Sequence, residues 1–228
     1  MVRSLIPAIL TTLSIAFGGV VLANEEKITK GFYSYDSLGC MILRECTDDV
    51  DEVYSMLDIS SNYDNAEAFI SVTQEFHNML MALNQIDVKV YLADEKYFPV
   101  SHRGVYHTVS NNFFLNKKYM NNPGVLMSVM RHEGWHVVQD CMAGSIKNSF
   151  IAIVIPEDDV PPLWREIAEK TYPESAVPWE AEAIWAGKTA GMTQKALTAC
   201  AAGRMWENPD YSPTPMTLEW LQEKGFAK

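Results

Sequence analysis

The sequence predicts an α+β fold, mainly helical, with a small β-sheet preceding one long buried helix. Three observations carry that expectation. Residues 125–142 are apolar around nearly the whole circumference of a helix, which marks a buried one. Upstream, residues 88–92, 104–109 and 113–115 have strand length and composition, the last two parted by Ser110-Asn111-Asn112 as a turn. On either side of these, apolar residues recur at spacings of three and four, as on helix faces. The chain has 228 residues, 48 % of them hydrophobic and 21 % charged, enough for one domain with a real core.

Taken in order, the chain starts with Arg3 ahead of an apolar run over residues 5–22, and Val21-Leu22-Ala23 puts small residues at the positions that precede a cleavage. Residues 1–23 therefore read as a cleaved secretory signal peptide. The mature part, residues 24–228, reads as a single domain. Losing Arg3 leaves 17 basic against 29 acidic residues, a net charge of −12. Such a balance argues against nucleic acid and anionic membrane as partners. Residues 24–39 are polar and rich in Gly, Tyr and Ser, a loosely ordered lead-in. Residues 47–57 read as a short helix, with Thr47 as N-cap and three acids in the first turn. In residues 64–83, Phe69, Val72, Phe76, Met79, Leu80 and Leu83 form a helical stripe. His77 lies beside that stripe and His102 in a polar loop, and both read as surface residues.

The long helix has its own punctuation. Asn122 is a good N-cap, Pro123 suits the first helical position, and Gly144 suits the end. After it, residues 150–155 are an apolar run too short to assign to strand or helix. Glu157-Asp158-Asp159 reads as a solvated acidic loop, since it lacks the spaced ligands of a calcium loop. Pro161-Pro162 opens a helix through Lys170. Further helices are expected over residues 179–189, 192–202 and 217–224, with an irregular Pro-rich stretch over 208–215. Four cysteines behind an export signal read as two disulfides. Three pairings are possible, and the preferred one is Cys40–Cys46 with Cys141–Cys200.

The chemistry concentrates at His132-Glu133-Gly134-Trp135-His136. Residues four apart lie one above the other on a helix face. His132 and His136 can thus aim their imidazoles at one point, with Glu133 one step round. This is the H-E-x-x-H pattern, two zinc ligands and a general base. Two neutral imidazoles leave zinc its full charge, so water bound there turns acidic, and the carboxylate takes its proton. Burying two histidines and a glutamate without partners would be costly, and a metal would satisfy all three.

A third ligand is sought downstream, where Glu180 and Glu182 stand on one helix. Two residues apart is about 200° of helical turn, so only one can point at the metal. Glu180 shares its face with Ala183, Ile184 and Gly187, and Glu182 is flanked by Trp185, Ala186 and Thr189. The first set reads as the tighter inner face, which favours Glu180 as ligand.

His132-Glu133-x-x-His136 with Gln139 three residues on, then Glu180-Ala181-Glu182-Ala183, resembles the gluzincin branch of the zincin metallopeptidases over roughly residues 105–191. The resemblance implies a zincin-like domain with His132, His136 and Glu180 as Zn2+ ligands and Glu133 as general base. Two positions depart from that family's pattern. Gly134 precedes the bulky Trp135, and Ile184 stands where an Asp often orients the first histidine. Gluzincins also use a Tyr or His to stabilise the oxyanion, and Tyr172, Tyr211 and His107 are candidates. In zinc peptidases an edge strand just before the motif helix often receives the substrate backbone, which would put residues 104–109 at the cleft.

The expected function is that of an exported zinc-dependent hydrolase, a metallopeptidase acting on a peptide or protein substrate, secreted or periplasmic. Its rivals are an exported metal-binding or structural protein with a non-catalytic site, and a hydrolase of non-peptide amides such as those of a cell wall.

Overall fold

The computed structural model describes residues 36–144, 146 and 151–204. The signal-peptide reading, most of the polar lead-in, Tyr211, the Pro-rich stretch and the last expected helix lie outside the described residues.

The described chain opens with α1 (Ser37–Ile42), where a loosely ordered lead-in was expected to continue to Gly39. Asp36 is the reason: its Oδ1 accepts the Gly39 amide and caps the helix. The Cys40–Cys46 disulfide then closes the short loop behind it. The helix expected over 47–57 is instead a strand, β1 (Val50–Glu52), followed by the short α2 (Met56–Ser60). The acids expected to crowd one helical turn are divided. Asp49 takes a left-handed φ of 59° and pairs with Lys96, while Val50 is buried and pairs across the sheet. The real helix start is Ser55, where Asp58 closes a capping box. The stripe at 64–83 divides too, into a 3-10 turn (Ala66–Val72) and α3 (Thr73–Gln85).

Strands β2 (Lys89–Ala93), β3 (Gly104–His107) and β4 (Asn112–Asn116) join β1 in a sheet of order β1-β2-β4-β3. β2 and β4 run parallel, and β3 and β4 form a hairpin in which Tyr106 faces Phe113 and His107 faces Asn112. Asn111 turns that hairpin at φ 55°, a conformation asparagine tolerates.

The long helix α4 (Pro123–Met142) runs through the centre of the molecule. Asn122 accepts from the amides of Gly124 and Val125, and Gly144 ends the helix region at φ 99°. Residues 151–155 are neither helix nor strand but an irregular segment. Beyond it come α5 (Pro162–Thr171), α6 (Val177–Lys188) and α7 (Met192–Ala201). α4 packs against α6, α7, β3 and α3. Cys141 on α4 is bonded to Cys200 on α7. Both disulfides have the expected pairing and fit an oxidising compartment. No helix among the described residues is long and apolar enough to cross a membrane.

Candidate metal centre

Helix α4 offers His132 and His136 from one face, and α6 lies across it. The close approach depends on Gly187: a Cβ there would stand 3.1 Å from the Ser128 carbonyl oxygen and 3.2 Å from the His132 Cβ. Glu180, seven residues earlier and so on the same side of α6, is thereby carried to the imidazole pair. Its Oε2 lies 3.3 Å from His132 Nε2 and its Oε1 lies 3.6 Å from His136 Nε2. One ligand atom from each of the three residues falls within 4.8 Å of the others, so the group can hold a metal ion. Zinc bonded at about 2.0–2.2 Å in a tetrahedron needs ligand atoms roughly 3.3–3.6 Å apart. Each imidazole has one carboxylate oxygen of Glu180 at such a spacing, a different oxygen for each. Glu180 Oε2 is also buried without a hydrogen-bond partner among the described residues, as an atom reserved for a cation would be.

The electrostatics of the three residues are coupled. Burial works against the charged form of His136, but Glu180, helped by Glu133 and Gln139, overrides it and raises the imidazole to about 9. Burial likewise opposes ionisation of Glu180, and the two imidazoles overcome it, holding the carboxyl well below the usual range. A divalent cation would replace the proton in this arrangement.

Glu133 is buried beside the cluster, and its Oε2 accepts the Tyr106 backbone amide at 2.9 Å. That contact depends on Gly104, where a Cβ would collide with Val129 Cγ1 at 2.5 Å and crowd the Glu133 Cγ at 3.2 Å. β3 therefore lies directly on α4. It is the edge strand of the sheet, as expected for a substrate-binding strand, but the Tyr106 amide that an added strand would use is already given to Glu133. The Tyr106 hydroxyl donates to Asp140 Oδ2 at 2.7 Å, fixing the strand to the helix a second time.

Glu182 was expected on the looser side of α6 and proves the more deeply buried of the two acids. Its Oε1 accepts the amides of Val154 and Ile155, at 2.9 and 2.8 Å. Its Oε2 accepts Trp135 Nε1 at 2.8 Å and Gln139 Nε2 at 3.0 Å. Burial pushes its pKa up to about 7 against these four donors. Face composition could not reveal this, because the donors come from α4 and from the irregular segment over 151–155. It also accounts for Gly134-Trp135. The indole serves Glu182, and Gly134 faces Thr193, Met79 and Leu197, all of which a Cβ would meet within 3.0–3.4 Å. Ile184 packs in the apolar cluster between α5 and α6.

No family model, curated protein or solved structure matches this chain. The likeness to gluzincins therefore stands on the motif residues and their geometry alone.

Among the oxyanion candidates, Tyr172 interacts with Glu180, and burial together with that acid and Glu133 raises its phenol pKa. His107 is instead tied to Ser110 Oγ through Nδ1 at 2.9 Å. His77 and His102 are exposed. The residues that the motif did not announce are Tyr106, through its backbone, and Glu182. Gln139 stood in view three positions after His136, a spacing that puts two side chains on one helix face.

Proposed function

We propose that this protein is an exported zinc-dependent hydrolase, a metallopeptidase acting on peptide or protein substrates. The observation that carries the reading is the convergence of His132, His136 and Glu180 beside the buried carboxylate of Glu133. Two imidazoles and one carboxylate are a donor set suited to zinc, and three protein ligands leave a coordination position open. Zinc, when bound, supplies the positive charge that acidifies a water and polarises a carbonyl oxygen. Glu133 takes the proton of the attacking water on Oε1 and passes it to the leaving amine, while the Tyr106 amide holds Oε2 in place. Tyr172, beside Glu180, is the candidate donor to the developing oxyanion. The two disulfides support an extracytoplasmic setting, secreted or periplasmic.

The test is metal analysis of the purified protein together with peptide-library digestion by wild type and Glu133→Gln. Turnover is expected to fall about 10²–10⁴-fold in the variant with zinc content unchanged. A wild type that holds zinc yet cleaves neither peptides nor cell-wall amides would instead be a metal-binding protein with a non-catalytic site.

A further inference from the structure

We propose that Gln139 and Glu182 are positioning residues that dictate which nitrogen of His136 faces the metal. The inference rests on the metal-binding part of the reading above and does not need the hydrolase part.

Gln139 is fully buried, so the direction of its amide has consequences. Its Nε2 donates to the Trp179 carbonyl and to Glu182 Oε2, both at 3.0 Å. Both amide protons are thereby used, and Oε1 is left facing His136 Nδ1 at 2.8 Å. Turning the amide over would set its oxygen against a carbonyl and a carboxylate, with no donor for either. An acceptor opposite Nδ1 requires the imidazole to carry its proton there. The lone pair is then confined to Nε2, the nitrogen turned towards Glu180.

Glu182 makes the arrangement one-way. Val154 N, Ile155 N and Trp135 Nε1 all donate to it, so every fixed neighbour demands an acceptor at that position. Gln139 can meet the carboxylate only with its NH2 group. The chain of hydrogen bonds runs from His136 to Gln139 to Glu182, and each donor-acceptor direction follows from the one deeper in the core. Glu182 is thus not a spare metal ligand. It acts on His136 through one intermediate side chain, and such outer partners raise the basicity of the ligand they orient.

The experiment uses 15N-labelled protein loaded with 113Cd2+, comparing wild type with Gln139→Met and Glu182→Gln. The readouts are the cadmium–nitrogen couplings of His136 and the affinity for Cd2+ and Zn2+ by chelator competition. Wild type is expected to show cadmium on Nε2 with Nδ1 protonated. Gln139→Met, which keeps the side-chain length, is expected to lose about 10–100-fold in affinity for both metals. Glu182→Gln is expected to weaken binding less and to lose the single Nδ1–H signal of His136. Cadmium on Nδ1 of His136 in wild type, or a folded Gln139→Met whose affinity is within twofold of wild type, overturns the proposal. The wild-type couplings decide even where a variant fails to fold. A wild type that takes up neither metal removes the metal reading and this inference together. A wild type that binds both metals and cleaves nothing removes only the hydrolase reading.

Discussion

The two sides of α4 solve opposite problems with one helix. Towards α3 and α7, Gly134 accepts close-packed side chains, Thr193 donates its hydroxyl to the Arg131 carbonyl, and the Cys141–Cys200 bond joins the helices. Arg131 reaches Glu75 through two hydrogen bonds of 2.8 and 2.7 Å, and Glu75 also accepts the Gly191 amide at the start of α7. Towards α6 and β3 the same helix presents Glu133, His136, Gln139 and Asp140, and α6 answers with two more carboxylates. The rear side is held by packing, a covalent bond and the partly buried Arg131–Glu75 pair. The front side confines acids and imidazoles that cost free energy to bury unless each finds a partner. The difference suits the rear to stability and the front to the proposed binding, and changes on one side should leave the other property nearly untouched.

The largest expected effect is on the front. Glu180→Gln removes the carboxylate of the candidate metal centre and should weaken zinc binding by at least about 10³-fold, more than the 10–100-fold typical of outer partners. The metal-free protein should lose the Glu180 ion pairs with His132 and His136, yet less stability than the disulfide variant below. Chelator competition and melts with and without EDTA check both halves, and a large drop in metal-free stability would break the comparison. Next comes the rear. Replacing Cys141 and Cys200 together by Ala should cost about 3–4 kcal/mol in a urea titration, since the bond closes a long loop. Zinc affinity of the folded fraction should change no more than a few-fold.

A smaller rear effect is expected from Gly134→Val, about 1–3 kcal/mol by overpacking against Thr193, Met79 and Leu197. Gly134 adjoins Glu133, so metal affinity measured beside stability tells whether the two sides are truly separable. The smallest is Glu75→Gln, at about 1 kcal/mol near neutral pH. Its hydrogen bonds with Arg131 hold the Glu75 carboxyl below its ordinary 4.5, with burial opposing. A depressed carboxylate stabilises the fold above its unfolded-state value and loses that contribution as pH falls through the folded-state value. Wild type should therefore lose stability faster than Glu75→Gln on acidification below about pH 4.5. Parallel urea titrations against pH check this.

Much of this arrangement was legible in the residues. The apolar circumference of 125–142 and its caps announce α4, and four-residue spacing puts His132 above His136. The choice of Glu180 rested on Ala183, Ile184 and Gly187; Gly187 is where α6 comes down on His132, while Ile184 packs towards α5. Other features were hidden because they depend on partners distant in sequence. Val50–Glu52 was expected to be helical, since its acids suit a helix start, and only pairing with β2 makes it a strand. Glu182 was expected on the looser side of its helix, because donors from Val154, Ile155, Trp135 and Gln139 leave no trace in the composition of its own face.

By itself, the sequence determined the periodic quantities: a central helix, the face shared by two histidines and the candidate third ligand. These follow from local geometry and apolar spacing, which a single chain segment carries. The tertiary structure alone decided which distant polar groups meet: Glu133 with the Tyr106 amide, Tyr106 with Asp140, Gln139 with Glu182. The physical reason is that a hydrogen bond has a direction and a length. Whether a buried carboxylate is a ligand, a base or an anchor depends on which donors the folded chain brings within about 3 Å of it.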